Sequence, residues 1–315
     1  MSSELAAVVE TPQAPAARPA RRAPLTVAAA LALALAVVGC ASASSSPAAV
    51  SAHQPGLNAT VPASVRSAGL TVLTDPEFSP ISYYAPKSGT IIGSDPDVIR
   101  AIGKVLGVQV RFRAVSFEGL LTGLAAGRGD IAVGGITDTT QREQVVRFVD
   151  DFALGELYVT AAGNAAGISS APLSACGHSV AYTLGAVSAT AVPALNSQCK
   201  AAGKPGINPV GVSGVQATLL AVRSGRAQVT MYDDIGWASV DRANGGTLQA
   251  FRLSPYPPQY WGYAVSPDNQ QLADALLAAL KVIIANGTYM AILNRYGVAS
   301  DALLHPGIDL QRSRA

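Results

Sequence analysis

The sequence predicts a two-lobed α/β protein with a cleft between the lobes. Three observations carry this. A strand–helix–strand–helix–strand series can be read from Gly69 to about residue 162, and a second from about 163 to 252. Each series holds a helix that ends in Gly-Arg and runs into an apolar strand and a polar turn: "LAAGRGDIAVGGITD" and "AVRSGRAQVTMYDD". The 315 residues, 49% of them apolar, suffice for two modest domains. Ligands favour the carboxyl ends of strands in open α/β sheets, so the polar turns are where a site is expected.

Residues 1–39 read as a signal segment outside the fold. Arg18, Arg21 and Arg22 precede an apolar run, Leu25 to Val38. As a helix that run rises about 21 Å, short of the roughly 30 Å hydrocarbon core. "VVGC" resembles the lipobox of bacterial lipoproteins, which implies a diacylated Cys40 on the outer face of the cytoplasmic membrane. Residues 40–68 are rich in Ser, Ala and Pro and lack an apolar period, as suits a tether. The folded part is expected from about Gly69.

Residues 1–39 hold three of the 22 cationic and two of the 20 acidic residues, leaving 19 against 18. No basic block suggests nucleic acid, and no acidic tail is present. Cys176 and Cys199 bracket one strand and one helix. In an exported protein they suit a disulfide, against the alternative of two free thiols. His53, His178 and His305 are scattered, so neither a metal site nor a cofactor is called for.

In order along the chain, "GLTVLTD" is a strand ending at Asp75. "DPDVIRAIGKVLGV" has the helical spacing Val98, Ile99, Ile102, Val105 and Leu106, with Asp95 or Asp97 as cap. "QVRFRAV" alternates as a strand. "SFEGLLTGLAAGRGD" is a helix with Ser116 as N-cap and Gly127 as stop. "DIAVGGI" is a strand, "TQREQVV" starts a helix, and "ELYVTAA" is a strand. The second series runs "SVAYTLG", "SATAVPALNSQ" (a helix despite Pro193), "INPVGV", "VQATLLAVRSGR" and "AQVTMYDD". "YWGYAVS", a long amphipathic helix in "NQQLADALLAALKVIIANG" and a short one in "TYMAILNRYG" complete the chain.

The most informative stretch is "DIAVGGITDTTQREQVVRF", where a buried strand runs through two glycines into a turn and an Arg-bearing helix. Free backbone N–H groups at such a turn point at an anion, and Arg142 can fork two hydrogen bonds onto a carboxylate. The bland alternative is that Thr137 only caps and Arg142 is a surface cation.

Five segments, in this order, resemble the polar amino-acid type of ABC transporter substrate-binding protein: "TDPEFSPISY", "GTIIGSDPDVIRAIGKVLGV", "SFEGLLTGLAAGRGDIAVGGITDTTQREQVVRFVDDF", "SGRAQVTMYDD" and "ANGTYMAILNRYG", over about residues 69–298. The resemblance implies a type II periplasmic-binding-protein-like fold, with mixed, mostly parallel sheets and a two-segment hinge near Tyr158 and Phe251. Lobe one would hold 69–158 and 257–315, and lobe two 159–256. It further implies that Arg142 and Thr137 hold a ligand carboxylate, while the Gly135 carbonyl and Asp233 receive its ammonium. Phe78 would cover the ligand, Phe117 would wall it and Asp75 would meet a basic side chain. Asp234 competes with Asp233 for that role, and Tyr260 and Trp261 either line the cleft or pack the hinge. In "TLGAVSAT", Ala186 and Val187 replace hydroxyl-bearing residues and leave Ser188; Gly134 and Gly135 stand where serines are frequent.

The implied function is a monomeric, lipid-anchored receptor that closes on a small zwitterion and delivers it to the membrane subunits of an ABC importer. The alternative is an exported dehydratase, since enzymes acting on cyclohexadienyl acids resemble these proteins. Such an enzyme needs an aimed acid or base, for which Glu77, Glu118, Asp151 and Glu156 are the candidates. No G-x-S-x-G elbow is present.

Overall fold

The computed structural model describes residues 53–312. The signal segment 1–39, Cys40 and the first part of the tether lie outside the described residues. The rest of the expected tether is folded. Helices α1 (Pro55–Asn58) and α2 (Ala63–Ala68) bracket Val61, and both Val61 and Val65 are buried in the core. The Gln54 amide donates to the Val105 carbonyl at 2.9 Å. The folded body therefore starts before Gly69, because two buried valines are enough to seat a segment whose composition reads as linker.

The first lobe opens with β1 (Leu70–Thr74), a small hairpin sheet of β2 (Glu77–Phe78), β3 (Ser82–Tyr84) and β4 (Ile91–Ile92), and helix α3 (Ser94–Leu106). There follow β5 (Val110–Ala114), α4 (Gly119–Ala125), β6 (Ile131–Val133), β7 (Thr137–Asp138) and β8 (Arg147–Leu154). The second lobe holds β9 (Glu156–Ala161), β10 (Ser179–Thr183), α5 (Ser188–Ala201), β11 (Asn208–Val212), α6 (Val215–Arg223), β12 (Val229–Asp233), α7 (Trp237–Ala243) and β13 (Leu248–Arg252). The chain then returns through β14 (Gln259–Val265), α8 (Gln270–Ala285), α9 (Thr288–Tyr296) and β15 (Ala302–Ile308).

The first sheet has the order β15-β8-β14-β6-β1-β5 with β7 beside β14, and the second β11-β10-β12-β9-β13. The expected parallel pairs lie at β6-β1-β5 and β12-β10-β11. The sheets are less parallel than the rhythm suggests, because the crossing strands β8, β9, β13 and β14 and the C-terminal β15 all pair antiparallel. The crossings fall at Gly155 and between Arg252 and Gln259. Both lie close to Tyr158 and Phe251, which are direct partners in the second sheet.

Helix α3 buries Val98, Ile99, Ile102, Val105 and Leu106, the spacing that predicts it, and Gly107 closes it in the left-handed region at φ 67°. Its N-cap is Gly93, and neither Asp95 nor Asp97 caps it. Likewise Glu118, not Ser116, stands at the start of α4. Helix α8 is capped by Asn269, whose side chain accepts from the Leu272 amide at 3.2 Å. Helix α5 continues through Pro193, which lies on its exposed side. Cys176 and Cys199 are joined in a disulfide, with Cα atoms 5.6 Å apart, tying the entry of β10 to α5.

The helix expected at "TQREQVV" shrinks to one 3₁₀ turn, Arg142–Gln144. Val145 is 60% exposed, so no apolar stripe anchors a longer helix, and the chain leaves at once into β8.

Candidate functional site

The carboxyl ends of β1, β6, β10 and β12 converge on one cavity of about 60 Å³ between the sheets. They deliver Asp75, Gly134 and Gly135, Thr183, and Asp233 respectively, and Phe78, Phe117, Thr137 and Ser188 line it too; of the expected ligand-binding residues only Arg142 is outside the lining. Val215, Met231, Tyr232, Gln259 and Glu156 also line it. Of these, the sequence offers Glu156 only as a candidate general acid, and the others carry no local sequence signal.

The double-glycine turn is held from behind. Gly134 and Gly135 have φ of 120° and 77°, a region open chiefly to glycine. Asp95 accepts from the Gly134 amide at 3.0 Å, and burial pushes this carboxyl up to about 7. A Cβ on Gly135 would stand 3.0–3.1 Å from the rings of Trp261 and Phe78. Those rings meet edge-on, 5.8 Å apart, and Phe78 meets Tyr232 of the second lobe at 6.1 Å. Trp261 thus backs the turn, while Tyr260 is buried on the same strand, paired with Asp138.

Three carboxylates face the cavity. Burial and neighbouring Glu77 push Asp75 up to about 6. Burial and the adjacent Asp234 push Asp233 up to about 7. Glu156 is 6% exposed and is raised well above its usual range, first by burial and then by Asp233. Gln259 donates to Glu156 at 2.9 Å. No Lys, Arg or His is among the described residues lining the cavity. On the other side, Ala186, Val187 and Ser188 present the start of α5, where a helix carries partial positive charge.

Arg142 is beside the cavity rather than in its lining. Its guanidinium donates to the Thr137 carbonyl at 2.7 Å and to the Gly185 carbonyl of the second lobe at 2.9 Å. It borders a smaller adjoining cavity with Phe117, Glu118 and Gly185. The free guanidinium facing the cleft that the sequence suggests is therefore already engaged, because two backbone carbonyls lie within its reach.

Behind Thr137 and Arg142, their chain neighbours Asp138 and Glu143, together with Asp150 of β8, hold the C-terminal segment. The amides of Leu310, Gln311 and Arg312 donate to Asp150, Asp138 and Glu143 at 3.0, 3.0 and 2.9 Å. Arg312 also pairs with Glu143 through its side chain at 3.0 Å.

The model of the bacterial extracellular solute-binding proteins, family 3, matches residues 70–299. The chain belongs to that family. Among curated relatives of this solute-binding protein are the arginine-binding protein ArgT of Corynebacterium glutamicum, 28% identical over 79% of this chain and 81% of that protein. The L-cystine-binding protein TcyA of Bacillus subtilis is 24% identical over 74% and 83%. Among solved structures, an ancestral arginine-binding protein bound to arginine superposes with a TM-score of 0.64 at 27% identity, over 72% of this chain and 97% of that one.

Within this solute-binding protein Asp233 and Asp234 face different ways. Asp234 turns away to accept from the Gly155 amide at 2.8 Å and to pair with Arg252 at the crossing, while Asp233 faces the cavity. The other acids weighed as catalysts lie elsewhere. Asp151 is buried against Tyr263, Glu118 accepts from Ser213 of the second lobe at 2.6 Å, and Glu77 approaches Gly214.

Proposed function

We propose that this protein is the extracytoplasmic receptor of an ABC importer and closes its lobes on an amino acid with a cationic side chain. One observation carries the choice of ligand: Asp75, Glu156 and Asp233 face a cavity with no cationic residue in its lining. A carboxylate taken out of water favours a ligand that brings positive charge. In this reading Asp233 meets the α-ammonium and Asp75 meets the distal cation, with Phe78 and Phe117 against the stem between them. The α-carboxylate lies at the Gly135–Thr137 turn and the start of α5, and Arg142 swings from Gly185 to grip it. Arginine in the name of ArgT and in the bound ancestral structure supports the same class.

We further propose a lipid anchor at Cys40, monomeric ligand capture, and docking of the closed form on the importer's membrane subunits. Mass spectrometry of detergent-extracted protein should find the mature chain starting at an acylated Cys40.

The test of the ligand class is a melting-temperature screen against L-arginine, L-lysine, L-ornithine, L-glutamine, L-cystine, L-glutamate and arogenate. A bound ligand raises stability by mass action. Arginine, lysine or ornithine should give the largest rise. A larger rise with glutamate would overturn the cationic class, and product formed from arogenate would favour the dehydratase.

A further inference from the structure

Glu156 and Asp233 are direct partners across the antiparallel pair of β9 and β12, and both face the cavity. Like charges placed opposite one another in such a pair destabilise it. The surroundings do little to relieve this. Gln259 donates to Glu156 and also to the Tyr256 hydroxyl at 3.3 Å, but an amide brings no charge. Tyr158 spends its hydroxyl on the Pro172 carbonyl at 2.8 Å. Asp234 adds a further negative charge and takes Arg252 for itself. Arg142, the cation that acts on Asp233, donates to two carbonyls. From the first lobe the acid facing this cavity is Asp75.

We propose that Glu156 and Asp233 form a proton-exchanging seat: the free pair carries one proton, and the ligand's ammonium group replaces it. This rests on the receptor reading above and adds Glu156 as a specificity-determining residue. The balance is simple. The protonated pair and the ammonium cation go in, the doubly ionised pair holding the ammonium comes out, and one proton passes to solvent. The raised titration of both acids, from burial and from each other's neighbourhood, agrees with a pair that ionises in two steps. The consequence is discrimination. A neutral hydrogen-bonding analogue without the amine displaces no proton, so the pair keeps its proton and its single negative charge stays without a cation.

The experiment is calorimetric titration of the mature protein with L-arginine, L-lysine, L-glutamine and L-cystine, in two buffers of different protonation enthalpy, from about pH 7, where Asp75 is already mostly ionised, to about pH 9. About one proton should be released per ligand at the acid end and close to none at the alkaline end, with affinity weakening up to about tenfold per unit of acidification. Glu156→Gln, which keeps an acceptor for Gln259, should abolish the release at an unchanged melting temperature. Asp75→Asn should leave it in place. Binding with no proton release at any pH overturns the exchange and leaves the receptor reading standing. Release lost in Asp75→Asn but kept in Glu156→Gln moves the proton to Asp75 and also overturns it. Silence from all four ligands overturns the seat and the receptor reading together.

Discussion

Arg142 of the first lobe donates a 2.9 Å hydrogen bond to the carbonyl of Gly185 in the second. One guanidinium therefore links the lobes and lies beside the turn expected to hold a carboxylate. Because a charge-assisted bond to a ligand is stronger than one to a neutral carbonyl, Arg142→Ala should cost at least about tenfold in affinity by calorimetry. The side chain is only half-buried, so the melting temperature should fall by less than about 3 °C. An unchanged dissociation constant would remove Arg142 from the ligand's path.

Asp75→Asn should separate cationic from neutral ligands. The amide keeps the shape and loses the charge, so affinity for arginine should fall at least about tenfold more than affinity for glutamine. Equal losses for the two ligands would place Asp75 away from the distal cation.

Asp150 makes stability depend on pH. Burial and nearby Asp138 push it up to about 9, against about 3.9 in an unfolded chain. The folded protein keeps a proton that the unfolded chain releases, so this contribution is complete at acid pH and is lost as pH climbs from about 4 to about 9. Asp150→Asn keeps an acceptor for the Leu310 amide. It should raise the melting temperature at about pH 8 and flatten its pH dependence. A lower melting temperature there would contradict the assignment.

Gly135→Ala should damage the turn. Its backbone is left-handed and the new methyl would press on Trp261 and Phe78. A loss of about 1–3 kcal/mol, or several degrees in melting temperature, is expected, together with weaker ligand binding. A variant that melts and binds like the parent would show the turn to be pliant.

Reducing the Cys176–Cys199 bond, which closes 23 residues of sequence separation, should destabilise the second lobe by about 3 kcal/mol. Calorimetric scans with and without reductant test this. Coincident transitions would mean the bond adds nothing.

Elements with a clean period were legible: the Val98–Leu106 spacing gave α3, and the two Gly-Arg units gave β6 and β12 with their polar turns. Strand β8 was not, because Asp150 and Asp151 interrupt its apolar run; they are buried all the same, against the Leu310 amide and Tyr263. Strand β15 was hidden by Pro306 and Gly307, residues that usually argue against a strand. In the cavity lining, Thr137 belongs to a turn that the sequence marks chemically, while Asp75, Gly135 and Asp233 are named through the family resemblance. Glu156 could not be named as a ligand residue, since one acid in an apolar strand has no spacing to mark it, and only the register against Asp233 reveals its company. The direction of Arg142 likewise depends on Gly185, 43 residues away.

The stitching of Leu310 to Asp150, and of Gln311 and Arg312 to the acids next to Thr137 and Arg142, has a practical corollary. A purification handle or fluorescent fusion placed close behind Arg312 would pull from the rear on the turn proposed to hold the ligand and distort any affinity measured with it. Such additions belong ahead of the folded body, on the far side of His53.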